Sequence, residues 1–449
     1  MQNQKPHVLV ITCHDLGQHL GCYGIHTVQS HNLDRLAREG VRFERAFCTA
    51  PQCSPSRASL ATGRYPHNHG VMGLTHGGFD WELNPGERHV AGLLAEHGYE
   101  THLFGLQHVT QDVDRLGFQR LHPFGSGHGV GTGSTGSRDV AAEVEAFLQT
   151  PPSSVPLYVE INFFEPHRPY DFGGVEPDTS NGVFIPAYLP QTAEARQEMA
   201  ALQGAIREVD HAIGRLLDAL EHAEFAERTL VIFSADHGLA MPRAKCTLYD
   251  PGISIALIAR WPEGGLRSGT TVSELVSNVD VLPMILQAAG LPVPQQVQGA
   301  SLLPCLRGES GRGREAIFAE KTFHSYYDPM RSIRTQRFKY IRNFETGFGV
   351  EVPGDVQRGA TFRADPGRYA IDRQQLVELY DLLVDPFEQD NLAGSPDYAG
   401  IERELDRRLW RWMEETQDPL LRGPIPSPRF RMAIAERARL PDAGLNPTS

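Results

Sequence analysis

Apolar positions follow two rhythms along this chain. Short continuous runs at 7–12 (HVLVIT), 100–104 (ETHLF), 156–163, 229–234 (TLVIFS) and 254–260 read as strands buried on both faces. Between them, apolar residues recur every three or four positions, which predicts helices at 32–39, 57–62, 89–97, 138–148 and 278–289. The longest such stretch is 193–222, where Met199, Leu202, Ile206, Val209, Ile213, Leu216, Leu217 and Leu220 line one face. Strands alternating with helices predict an α/β fold, a large mostly parallel sheet flanked by helices. Near residue 310 the texture changes. Gly308-Glu309-Ser310-Gly311-Arg312-Gly313 reads as a surface loop, and Arg331–Asn343 carries two alternating runs around Thr335-Gln336, a hairpin pattern. Residues 399–416 read as one amphipathic helix burying Ile401, Leu405, Leu409, Trp412 and Met413. The chain therefore divides into a main domain, 1–312, and a smaller C-terminal α+β subdomain, 313–449, with a small antiparallel sheet and a long helix.

Composition narrows the function classes. A chain of 449 residues is long enough for one large α/β domain with an appendage. Its formal charge of −13 argues against nucleic acid as a partner, although a locally basic pocket on an acidic protein still takes a small anion. The six cysteines, Cys13, Cys22, Cys48, Cys53, Cys246 and Cys305, form no CxxC pair and read as reduced thiols. The apolar stretch Val8–Ile11 is too short for a signal-peptide core or a membrane span. A cytoplasmic protein with no membrane partner is expected, and small imported substrates suit that location.

The chemistry gathers at strand ends. His14-Asp15-Leu16-Gly17 follows the first strand, and Asp236-His237-Gly238 follows the strand 229–234. Ligands of open α/β sheets collect beyond the carboxyl ends of strands. Two such O/N pairs can converge on one divalent cation. Cys53-Ser54-Pro55-Ser56-Arg57 then heads a short apolar helix pattern. Pro55 and Ser56 would begin that helix, and its N-terminus favours an anion through free N–H groups and the dipole. Cation and anion site together suit hydrolysis of a sulfate or phosphate ester, whose charge repels an oxygen nucleophile until it is neutralised.

The Cys53–Arg57 run, continued by Ala58-Ser59-Leu60-Ala61-Thr62-Gly63-Arg64, resembles the signature of the type I sulfatases, members of the alkaline-phosphatase-like superfamily. The likeness extends to Asn32–Ala37, Gly40–Phe43 and Arg64–Val71, and covers about residues 7 to 420. It implies that Cys53 is converted to formylglycine by a formylglycine-generating enzyme and that its hydrate is the nucleophile. It also implies that Arg57 holds that side chain and the sulfate. His108 in Gly105-Leu-Gln-His and His167 in Glu165-Pro-His match the two active-site histidines, and Lys245 matches the lysine contacting sulfate and leaving group. His14, Asp15, Cys53, Asp236 and His237 would hold the metal, calcium by family resemblance.

Three departures accompany the match. His14-Asp15 stands where sulfatases usually have Asp-Asp, Asp236-His237 where most have Asp-Asn, and Leu106 where a lysine precedes the histidine. Two histidine ligands move the favoured metal toward manganese or zinc.

Within the family, Pro329-Met330-Arg331-Ser332, Glu378–Asp381, Asp385-Pro386, Gln389–Ala393 and Trp412–Pro419 resemble N-sulfoglucosamine sulfohydrolases. That likeness implies a sulfated mono- or oligosaccharide substrate, N-sulfoglucosamine foremost, with His76, His324 and Arg331 as candidate sugar contacts. One alternative is a phosphonate monoester or phosphodiester hydrolase of the same superfamily, which Asp236-His237 favours. The other is a catalytically silent sugar-sulfate binding protein, motivated by Leu106.

Overall fold

Seven of the eight strands in the main sheet run parallel, in the order β4-β3-β5-β1-β6-β7-β2-β8. They are β1 His7–Cys13, β2 Val41–Phe47, β3 Glu100–Gly105, β4 Arg120–Leu121, β5 Leu157–Asn162, β6 Thr229–Ala235, β7 Leu257–Arg260 and β8 Thr270–Ser277. The computed structural model describes residues 5–122, 136–149, 155–306, 313–345, 349–369 and 375–439. Strands β1, β5 and β6 lie at the centre and are buried throughout, as their largely apolar runs require. Only β7 is antiparallel, and it pairs with both β6 and β2.

Helices occupy the expected stretches, at His31–Glu39, Ser137–Gln149, Ala193–His222 and Val281–Ala288. The 30-residue helix starts at Thr192, whose side chain accepts from the Ala195 amide. The helix that carries Cys53 begins earlier than its apolar pattern predicts. Cys53 is itself the first residue of Cys53–Thr62, with Pro55 in the first turn, where no amide is needed. The strand expected at 254–260 is shorter, because Asp250–Ile253 forms a helical turn before it.

A second sheet, order β12-β11-β10-β9, is wholly antiparallel: β9 Ala316–Phe323, β10 Tyr327–Thr335, β11 Phe338–Asn343 and β12 Val377–Asp381. The expected hairpin turns at Thr335, and the helix Ala399–Glu415 packs Leu405, Leu409, Trp412 and Met413 beneath it. Ile317, Ala319, Met330, Ile341 and Tyr380 of this sheet join the main core. The loop expected at 308–313 lies, except for Gly313, outside the described residues. Among the described residues, no helix is long and apolar enough to cross a membrane.

Candidate active site

Because β1, β3, β5 and β6 are parallel neighbours, their carboxyl ends open onto one edge. The turns after β1 and β6 are sewn together there: the Asp236 amide donates to the Cys13 carbonyl, and the Asp15 amide donates to Asp236 Oδ1 at 3.0 Å. His14 and Asp15 thus face Asp236 and His237. His14 Nδ1 is 2.9 Å from Asp236 Oδ2, and His237 Nε2 is 3.0 Å from Asp15 Oδ1.

These close pairs are not hydrogen-bonded. His14 Nδ1 and Nε2 and Asp15 Oδ1 are buried with no hydrogen-bond partner. Buried polar atoms are rarely left so. His237 donates its other nitrogen, Nδ1, to the Gly238 carbonyl at 3.0 Å, leaving Nε2 turned toward Asp15 and 3.5 Å from Cys53 Sγ. Two carboxylates, two imidazoles and a sulfur crowded together, with three of their polar atoms left without a hydrogen bond, fit a divalent cation. The two imidazoles in the set favour manganese or zinc over calcium, which takes oxygen ligands. Burial pushes the His14 imidazole down to about 3, with Arg57 assisting against Asp236. Burial also opposes charge on His237, but Asp236 and Asp15 hold it well above the usual histidine range.

The Cys53–Thr62 helix is buried on every side, and it delivers both Cys53 and Arg57. Arg57 Nε donates to Asp236 Oδ2 at 3.1 Å, and Nη1 to Thr12 Oγ1 at 2.7 Å and Asn162 Oδ1 at 3.0 Å. Its Nη2 is buried without a partner. Ser56 Oγ donates to the Asp236 carbonyl, fixing the helix start against the turn after β6.

His108 and His167 arrive from the ends of β3 and β5. His108 has a left-handed backbone (φ 60°), its Nε2 lies 2.6 Å from His76 Nδ1, and its buried Nδ1 has no partner. Burial, with His76 and His14 nearby, holds His108 well below the usual histidine range. His167 donates Nδ1–H to the Arg168 carbonyl at 2.6 Å, so its Nε2 faces Lys245 Nζ at 3.5 Å. Lys245 donates to Asp15 Oδ2 at 3.1 Å and Asp355 Oδ2 at 2.9 Å. Burial opposes its charge, yet these two carboxylates hold it well above the ordinary lysine value. The same ammonium, against the opposing effect of burial, draws Asp355 down to about 2.

The profile of the sulfatase family matches residues 6–291, and that of the C-terminal part of N-sulphoglucosamine sulphohydrolase matches 237–352. The chain belongs to the sulfatase family. The relatives of this sulfatase include an ulvan-active sulfatase of Formosa agariphila, 29% identical over 99% of this chain and 89% of the relative. Human N-sulphoglucosamine sulphohydrolase is 29% identical over 93% of this chain and 91% of the human protein. A protein solved in complex with its substrate D-glucosamine-2-N,6-O-disulfate has the same fold. Its TM-score is 0.70 at 20% identity, covering 94% of this chain and 99% of that one.

The sulfatase places its three expected sugar contacts differently. His76 stacks on His108 with ring centroids 4.3 Å apart, beside the site. His324 turns Nδ1 to Glu351 Oε1 at 2.9 Å. Arg331 corrects the expectation. It is 0% exposed, and its guanidinium is taken up by Asp418 at 2.6 Å, Glu320 at 3.1 Å and the carbonyls of Lys321 and Met330. A framework between β9, β10 and the turn at Asp418 uses every arm, which leaves none for a sugar.

Three residues of the site escaped the sequence reading. Thr12 and Asn162 stand at the carboxyl ends of largely apolar strands, and a polar residue at the carboxyl end of a buried strand was the available signal. Asp355 follows Pro353-Gly354 in a turn and carries no such signal.

Proposed function

We propose that this sulfatase removes the sulfo group from a small sulfated saccharide, N-sulfoglucosamine foremost, using a formylglycine made from Cys53. The carrying observation is the position of Cys53. It opens a buried helix, its sulfur is 3.5 Å from His237 Nε2, and it lies within ligand reach of Asp15 and His237 and of His14 and His108. The converted side chain would supply a hydrated aldehyde as oxygen nucleophile. A cation held by His14, Asp15, Asp236 and His237 would neutralise the sulfo group and activate that nucleophile.

The chain's own groups do the rest. Arg57 binds Asp236 and turns its unpartnered Nη2 toward the sulfo oxygens. The helix N-terminus favours the same anion. His108, kept neutral by burial, accepts the nucleophile's proton through its open Nδ1. Lys245 and His167 stand together at the leaving-group side, and one of them protonates the departing atom. Leu106 brings no cation, so Arg57 and Lys245 carry the anion binding. Paired Arg57 and Lys245, with the whole histidine set in place, support turnover over silent binding. The profile match, the human relative and the disulfated-glucosamine complex support a sulfated saccharide. The thiols of Cys13, Cys22, Cys48, Cys53 and Cys246 are unpaired, which supports a cytoplasmic location.

The test begins with peptide mass spectrometry of the Cys53 fragment from protein made alongside a formylglycine-generating enzyme. The converted protein is then assayed for sulfate release from N-sulfoglucosamine and for phosphodiester hydrolysis. An aldehyde mass with sulfate release is expected. An intact thiol, or faster phosphodiester cleavage, would overturn the reading.

A further inference from the structure

A segment from the C-terminal part of the chain completes the leaving-group side. Glu351 is anchored by Lys321 Nζ at 2.7 Å, His324 Nδ1 at 2.9 Å and the Ser325 amide at 3.0 Å. Lys321 is itself paired with Asp328 at 2.8 Å. Four residues on, Asp355 sits in the turn Gly354–Gln357. Its Oδ2 is 2.9 Å from Lys245 Nζ and 4.0 Å from His167 Nε2. Its side chain is 12% exposed against 2% for Lys245, so the carboxylate is the more accessible partner of the pair.

Anion binding does not call for this group. Lys245 already has a counter-ion in Asp15 at 3.1 Å, and Asp236 adds a second carboxylate nearby. A third negative charge weakens the attraction for a sulfo group. It becomes favourable where the bound molecule presents an N–H donor or a positive charge. Hydrolysis of a sulfamate does so: R–NH–SO3⁻ + H2O gives R–NH3⁺ + SO4²⁻. The S–N bond breaks with its electron pair on nitrogen, sulfur gains an oxygen from water, and nitrogen gains two protons. Hydrolysis of an O-sulfate leaves a neutral alcohol instead. We propose that Asp355 reads the leaving-group nitrogen, pairing with the amine as it forms and favouring sulfamates over sulfate esters.

This rests on the proposed function, since the leaving atom must lie beside Lys245 and His167. The test uses the full-length, aldehyde-bearing, metal-loaded protein and its Asp355→Asn and Asp355→Glu variants. The ratio of kcat/KM for N-sulfoglucosamine to kcat/KM for 4-nitrophenyl sulfate is expected to fall about tenfold or more in Asp355→Asn. The ratio cancels any loss common to both through Lys245. Calorimetry gives a second reading without turnover. Glucosamine should bind Asp355→Asn about tenfold more weakly, Asp355→Glu should retain binding within a few-fold, and N-acetylglucosamine, lacking the ammonium, should not distinguish the three.

Parallel losses on both substrates, or equal glucosamine affinity in wild type and Asp355→Asn, would overturn the proposal. Wild-type turnover of 4-nitrophenyl sulfate without turnover of N-sulfoglucosamine would also overturn it while leaving the sulfatase reading intact. Failure on both substrates would sink that reading, and glucosamine binding would still decide whether Asp355 recognises the ammonium.

Discussion

Arg57 joins three strand ends through one side chain, touching Thr12 near the end of β1, Asn162 at the end of β5 and Asp236 after β6. Arg57→Ala leaves Asp236 buried beside His14 with one counter-charge fewer. Breaking a buried pair from one side costs about 3–5 kcal/mol, so thermal melting should show a clear loss along with the loss of activity. Arg57→Lys keeps the charge but not the planar fork, and is expected to restore stability more than kcat/KM. Cys53→Ser behaves oppositely. The change is nearly isosteric, so the melting temperature should hold, while turnover of converted enzyme falls by about 10³-fold or more. Steady-state assays beside melting curves separate the two. At this scale the motif residues were legible, because Cys53, Arg57, His108, His167 and Lys245 each sit in a local sequence pattern. Asp355 was not legible. Its importance comes from Glu351, Lys321 and His324 bringing a distant turn against Lys245, and no local spacing encodes that.

Among the elements, β3 and β5 show how tightly backbone geometry and site are joined. Gly105 pairs with Asn162 in the parallel register and has φ 74°. A Cβ at Gly105 would stand 2.0 Å from the Asn162 carbonyl oxygen. Gly105→Ala must therefore part the strands or rotate the backbone, at a cost of about 1–3 kcal/mol or more. It should lower the melting temperature and, by moving Asn162 and His108, reduce kcat further than stability alone explains. Differential scanning calorimetry with kinetics on the same preparation checks both. The central strands were legible because β1, β5 and β6 are dominated by apolar residues, with Glu160 the one charge within β5. Strand β2 was not: Arg42, Glu44 and Arg45 interrupt Val41–Phe47, and only its position near the sheet edge makes such a sequence acceptable. The reversed direction of β7 was equally hidden, since apolar periodicity carries no sense of direction.

For the molecule as a whole, the two sheets are fastened by Lys339 of β11. Its ammonium meets Glu388 at 2.8 Å, Asp250 at 2.5 Å and the Leu248 carbonyl at 3.0 Å. Lys339→Met leaves Glu388 without its cation while Asp250 keeps Arg334 at 3.0 Å, and is expected to cost about 3–5 kcal/mol, read by chemical denaturation. Acid sensitivity has a clear contributor in His19, which burial pushes down to about 4 from 6.5. A histidine depressed in the folded state lends its full stability above pH 6.5. That contribution is lost as pH falls toward 4, by up to about 3 kcal/mol. His19→Gln should flatten that part of the stability curve between pH 6.5 and 4, measured by denaturation at each pH. The Cys53 helix carries a different consequence, one of timing. Cys53 is 3% exposed, and all ten residues of its helix are inside the protein. A second enzyme cannot reach that thiol once the chain has closed over it. The proposed conversion must therefore win a race against folding, and a molecule that folds first is locked out of maturation for as long as it stays native.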